Sequence, residues 1–210
     1  MPRLKNRLSV LAMAMTLAGP LARAGNSGPD ASFFRFLTPK VTVSQEQALA
    51  RFPAFTVGPA NGPVVDILFI PGCPHCHDLW ENLQKLRYTE PQAAQYRYRW
   101  IPILVNLQNA EELSPFWNDS RNGQALASLM STESSPAHQA GKPKSAANLL
   151  AALRPSLVWL RGTGAQIAPA LIRENARPAT IHLGSPAPSV LNRWLGLPGV
   201  LSVPSPESKS

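Results

Sequence analysis

Two cysteines stand in the chain, Cys73 and Cys76, in the run Cys73-Pro74-His75-Cys76. A pair this close encloses too short a loop to constrain much of an unfolded chain, so a purely structural disulfide is a poor reading. The surrounding residues offer a better one. Val64 to Ile70 is a near-continuous apolar run with the length and β-branching of a buried central strand, ended by Pro71-Gly72. Pro74 to Tyr88 follows with Cys76, Leu79, Trp80, Leu83 and Leu86 at helical spacing, and proline suits a first helical turn. Cys73 is thereby expected at the start of a helix. Unpaired N–H groups and the positive end of the helix dipole would stabilise a thiolate there. Cys76 is expected one turn inside, facing the core. Cys73 is then the attacking sulfur and Cys76 the resolving one. His75 between them could add charge or a hydrogen bond, and a stabilised thiolate makes the corresponding disulfide a better oxidant.

The same residues admit two other chemistries. Cys73-x-x-Cys76-His77 matches the attachment signature of a c-type haem, with His77 as proximal ligand and Met130 as a distal candidate. An apolar strand running straight into the motif argues against it, because such cytochromes are helical around the site. Copper handling through Cys73, Cys76 and His77 is a third reading. No second cysteine pair exists to close a zinc site, so no metal is expected. The remaining histidines, His138 and His182, read as a loop residue and a strand residue.

The whole chain is 210 residues, 44% hydrophobic and only 15% charged, with 22 prolines and 13 glycines. One domain with short elements and many loops is expected. Residues 1–24 read as a secretory signal: a basic start, an apolar stretch from Leu8 to Ala22, and Ala22-Arg23-Ala24 for cleavage. The net charge is +8, but Arg3, Lys5, Arg7 and Arg23 lie in that acid-free segment, leaving +4 after its removal. No basic run interleaved with aromatics occurs, so nucleic acid is not an expected partner. The Ala-rich signal suits a bacterium and hence the periplasm.

Residues 25–62 read as an arm with a helix from Ser44 to Arg51 and a strand from Phe55 to Gly58, folded back on the next segment by a turn at 59–62. Tyr96 to Val105 reads as a strand in which Tyr96, Tyr98 and Trp100 alternate with Arg97 and Arg99. Pro102 marks it as an edge or irregular strand. Helices are expected over 114–130 and 145–160, the latter bent or ended by Pro155. A broken helix is expected over 165–175, a strand over 178–183 and a short helix over 189–195. Residues 197–210 read as a disordered tail. Phe69, Trp80 and Trp100 are core candidates, with some apolar groups left exposed around the cysteines as a peptide surface.

The pair and its flanks resemble the periplasmic Dsb thiol-disulfide oxidoreductases of the thioredoxin superfamily. Pro74-His75 is the dipeptide of the DsbA-type oxidases. Val64-Val65-Asp66-Ile67-Leu68-Phe69 before the pair and His77-Asp78-Leu79-Trp80 after it are more similar to the DsbC/DsbG-type catalytic domain. The resemblance implies an α/β, thioredoxin-like fold over 63–196 with a helical insertion at about 106–165. It implies an enzyme whose cofactor is only the redox-active disulfide. Its partners would be exported proteins with thiols or disulfides, and a membrane redox partner that resets the pair. It also implies a cis-proline facing the cysteines, for which Pro178 is the candidate. Arg177, Pro178 and Ala179 would then bind the substrate strand, and Arg177 would bring positive charge near Cys73 or hold an acidic peptide. The dimerisation domain of the isomerases is not expected in the short arm before residue 64. The buried acid of many relatives has only Asp66 as a counterpart, seven residues before Cys73.

Overall fold

The computed structural model describes residues 40–117, 122–131, 145–165, 167–174 and 179–197. The expected signal, the first part of the arm, His138, Arg177, Pro178 and nearly all of the expected tail lie outside the described residues.

The chain begins with β1 (Lys40–Val41) and α1 (Val43–Leu49). Thr42, not Ser44, opens this helix, because its hydroxyl and the Gln45 side chain form a reciprocal capping box. Strands β2 (Phe55–Val57) and β3 (Val64–Phe69) follow, then α2 (Pro74–Thr89), the single turn α3 (Pro91–Ala94) and β4 (Arg97–Pro102). Between β4 and the next strand lie α4 (Leu107–Leu113), a 3₁₀ turn (Ser114–Phe116), α5 (Gly123–Met130) and α6 (Ala146–Gly162). These are the helical insertion. The chain closes with β5 (Ala170–Arg173), β6 (Ala179–Leu183) and α7 (Pro188–Leu195).

The strands form one sheet in the order β1-β6-β5-β3-β4-β2. Only the β3–β4 pair is parallel, as a crossover through α2 requires. Strand β2 does not fold back onto β3. It lies antiparallel to β4, which α2 has carried into the position beside β3. Strand β4 is thus interior, not an edge. Its Pro102 is tolerated because it is the last residue of the strand, past Trp100 where pairing with β2 ends.

The expected broken helix over 165–175 is in fact β5, entered through a cis peptide between Ala168 and Pro169. Its Ala170, Leu171 and Ile172 are all buried between β3 and β6, and burial on both faces hides a strand's alternation. In place of the single helix expected over 114–130 stand the 3₁₀ turn and α5, with α4 ahead of them. Helix α6 continues through Pro155 and is neither ended nor interrupted by it.

Alternate residues of β3 divide the core. Val65, Ile67 and Phe69 join Cys76, Leu79, Leu83 and Trp100 on the α2 side. Leu68 joins Ile101, Ile103, Trp159 and Ile172 on the α1 and α6 side. Trp80 is half-buried with its ring 5.6 Å from that of Trp100. Arg99, which alternates with Tyr98 and Trp100 along β4, is buried. Its guanidinium bonds Asp66 Oδ1 at 2.8 Å and the carbonyls of Leu49, Ala50 and Phe52 at 3.0–3.3 Å.

Candidate active site

Strand β3 delivers the chain to the cysteines. Gly72, at φ +73°, makes a left-handed turn that a side chain resists. The Cys73 N–H donates to the Ile70 carbonyl at 3.1 Å and closes the turn. Cys73 is the residue flanking the N-terminus of α2, with extended backbone and Pro74 as the first helical residue. Its carbonyl accepts from the N–H groups of Cys76 and His77 at 2.9 and 3.2 Å.

The two sulfurs differ in environment. Cys73 is half-exposed and Cys76 fully buried. Burial pushes the Cys76 thiol well above the ordinary thiol range. Cys73 beside it adds to the rise in the Cys76 pKa, and the Ile70 backbone opposes it. As long as both are thiols, Cys76 keeps its proton and Cys73 is the sulfur that an outside reactant reaches.

The helical insertion grips this turn. Asn109 of α4 donates from Nδ2 to the Pro71 carbonyl at 3.1 Å. The Glu112 carboxylate lies over Gly72, so that a Cβ built there would collide with it. His77 Nδ1 lies 3.0 Å from the Met130 carbonyl at the end of α5. A carbonyl only accepts, so Nδ1 carries the proton. His75 points outward, with Nδ1 3.6 Å from Asp78 Oδ2 and both side chains well exposed.

Cys73, His75 and Cys76 stand together at the start of α2. Arg177 and Pro178 lie outside the described residues. Ala179 is buried and pairs with Val41. It stands four residues before Leu183, which is the residue level with Ala170 beside the cysteine end of β3. At roughly 3.3 Å per residue, Ala179 is about 13 Å down the sheet from that end. It cannot hold substrate against Cys73. Ala168-Pro169 enters β5 beside the end of β3 and so stands at the cysteine end of the sheet. The sequence signal for it was a proline just before the short apolar run Ala170-Leu171-Ile172.

Asp66 is fully buried but lies on the α1 side of the sheet, away from the cysteines. Its Oδ2 faces no donor, and the nearby Glu174 carboxylate is only a second acceptor. Burial, opposed by Arg99 and reinforced by Glu174, raises its pKa to about 7. Cys76 is fully buried among the core residues under α2, a position that does not suit a thioether to a porphyrin. Among the described residues no three His, Cys, Asp or Glu side chains cluster as a metal site, so a copper reading rests on the two thiols. His182 is half-buried beside Trp194, and burial lowers its pKa.

The central parallel pair, the antiparallel strands beside it, and the cysteine pair at the start of α2 define a thioredoxin-like fold with a helical insertion. Solved structures agree. ScsC of Proteus mirabilis in a compact conformation superposes with a TM-score of 0.60 at 16% identity, over 79% of this chain and 82% of that one. The catalytic domain of the same protein gives 0.57 at 19%, over 73% and 93%. A periplasmic thioredoxin-like protein from Salmonella enterica serovar Typhimurium gives 0.56 at 18%, over 74% and 96%. At such identities the likeness is one of fold. No protein-family model and no curated protein matches the sequence.

Proposed function

We propose that this protein is an exported thiol-disulfide oxidoreductase that exchanges disulfides with other proteins through Cys73 and Cys76. The observation that carries the reading is the unequal pair of neighbouring thiols at the start of α2: Cys73 reachable, Cys76 buried.

In the oxidising direction a client thiolate attacks the Cys73 sulfur of the Cys73–Cys76 disulfide. The Cys76 sulfur leaves with the electron pair and takes up a proton, which its buried position favours. A second client thiolate attacks the client sulfur of the mixed disulfide, and Cys73 leaves as thiolate. The client has lost two electrons and the protein has gained them. The reverse sequence reduces a client disulfide. His75 stands beside the pair where it can exchange protons with solvent, and the Ala168-Pro169 backbone flanks the client strand. A membrane redox partner restores the starting state, and the periplasm is the proposed compartment. Pro74-His75 resembles the oxidases and the flanks resemble the isomerase catalytic domain. The reduction potential of the pair assigns the direction, an oxidising value making the protein a disulfide donor and a reducing value a reductase.

The test is trapping. Cys76→Ser should accumulate a mixed disulfide at Cys73 with client proteins, visible as thiol-sensitive adducts on non-reducing gels. Cys73→Ser should accumulate none. Adducts of equal yield in both variants, or in neither, would sink the proposal.

A further inference from the structure

On the face of the sheet opposite α2, a cavity of about 460 Å³ opens beside the cysteine turn. Its walls are Ile70, Ile103, Leu157, Leu160 and Ala168, and its charged group is Arg161. Ile70 and Ala168 tie it to the candidate site. The Ile70 carbonyl holds the Cys73 N–H, and Ala168 immediately precedes Pro169. Seven large apolar side chains are strongly exposed among the described residues, and three of them stand at this end. Val105 belongs to the cavity wall, Leu107 follows it by two residues, and Ile167 precedes Ala168. Each is about half exposed. Apolar surface concentrated at a concave site marks a place where something docks. Arg161 forms no ion pair with a carboxylate among the described residues.

We propose that this cavity is a specificity site of the exchange reaction, taking a bulky apolar side chain of the client beside an acidic one that pairs with Arg161. The inference rests on the function proposed above, since it assigns the client segment that Cys73 meets. A client strand crossing Cys73 and Ala168 passes the two lining residues that join the cavity to the cysteine turn, Ile70 and Ala168. Transfer of an apolar side chain into such a pocket favours that client over a polar one, because the polar side chain must give up water for no partner.

Two peptides of equal length test it, each with one cysteine activated as a disulfide to pyridine-2-thione. One carries Leu and Glu beside the cysteine, the other Ser and Lys. Reduced protein attacks through Cys73, the peptide sulfur becomes joined to Cys73, and pyridine-2-thione leaves and is followed by its absorbance. Cys76 then closes the disulfide and frees the peptide thiol. The Leu-Glu peptide should react about tenfold faster, a ratio typical of pocket discrimination. Arg161→Glu and Val105→Lys, both surface changes, should bring the ratio toward unity. Equal rates for the two peptides in the wild type, with normal attack on dipyridyl disulfide, overturn the specificity site and leave the oxidoreductase reading standing. A ratio that neither variant changes also overturns it. So does a dimer that sediments with the cavity covered and dissociates in Val105→Lys. Failure to react with dipyridyl disulfide or either peptide overturns the underlying function as well.

Discussion

Asp66 and Arg99 show how much one buried pair can depend on its surroundings. Arg99 satisfies one oxygen of Asp66 and three carbonyls around the end of α1, and it is the cation on which that polar cluster rests. Arg99→Leu would leave those acceptors buried without a donor, a loss of about 3–5 kcal/mol, to be read by urea unfolding. The pair also sets a pH dependence. Folded Asp66 holds its proton up to about pH 7, against an ordinary value of 3.8. Between those values the folded state binds more protons than the unfolded one, so stability is highest at the acid end and falls as pH rises through neutrality. The charged groups facing Asp66 are Arg99 and Arg97 of β4 and Glu174 after β5. Asp66→Asn should flatten this fall, measured as unfolding free energy at pH 5, 6, 7 and 8. An equal slope in wild type and variant would show that folded Asp66 does not hold its proton at these pH values.

At the scale of elements, the insertion helices hold the cysteine turn in place. Helix α5 is tied to α2 by the His77–Met130 bond, and α4 is tied to the turn by Asn109 and Glu112. His77→Ala should cost about 1 kcal/mol, the usual worth of one such bond. It should raise amide exchange at the end of α5 more than in the sheet. Gly72→Ala acts on the turn itself. Positive φ and the overlying Glu112 carboxylate both oppose a methyl group, so a loss of about 1–3 kcal/mol is expected from thermal or urea unfolding. The helix that starts with Cys73 was legible in advance because its apolar positions, its Pro74 and its length all agree. The 3₁₀ turn in place of a helix start at 114 was not, because Pro115 lies within a short Ser114–Phe116 turn at the end of α4 rather than in the first turn of one long helix. Strand β5 was hidden for a related reason: its three consecutive buried residues, Ala170, Leu171 and Ile172, carry no periodicity to read.

For the whole molecule, the leading segment predicts that the protein made in a bacterium is recovered from the periplasm with Gly25 as its first residue. N-terminal sequencing of the fractionated protein checks this, and a cytoplasmic protein that keeps Met1 would contradict it. The described domain contains no helix long and apolar enough to cross a membrane.

The cysteine pair, its strand and its helix are local in the chain, and local spacing with strong apolar periodicity was enough to read them together with the chemistry they invite. Contacts between distant segments were not readable in that way. Only the folded sheet decides that Ala168-Pro169 stands at the cysteine end while Ala179 lies far along it. The pairing of Ala170 with Leu68 and of Val41 with Ala179 sets those positions, and register is a property of two strands rather than of either one. The burial of Arg99 against Asp66 and the cavity beside Ile70 arise in the same way, from segments 33 or more residues apart meeting across the sheet.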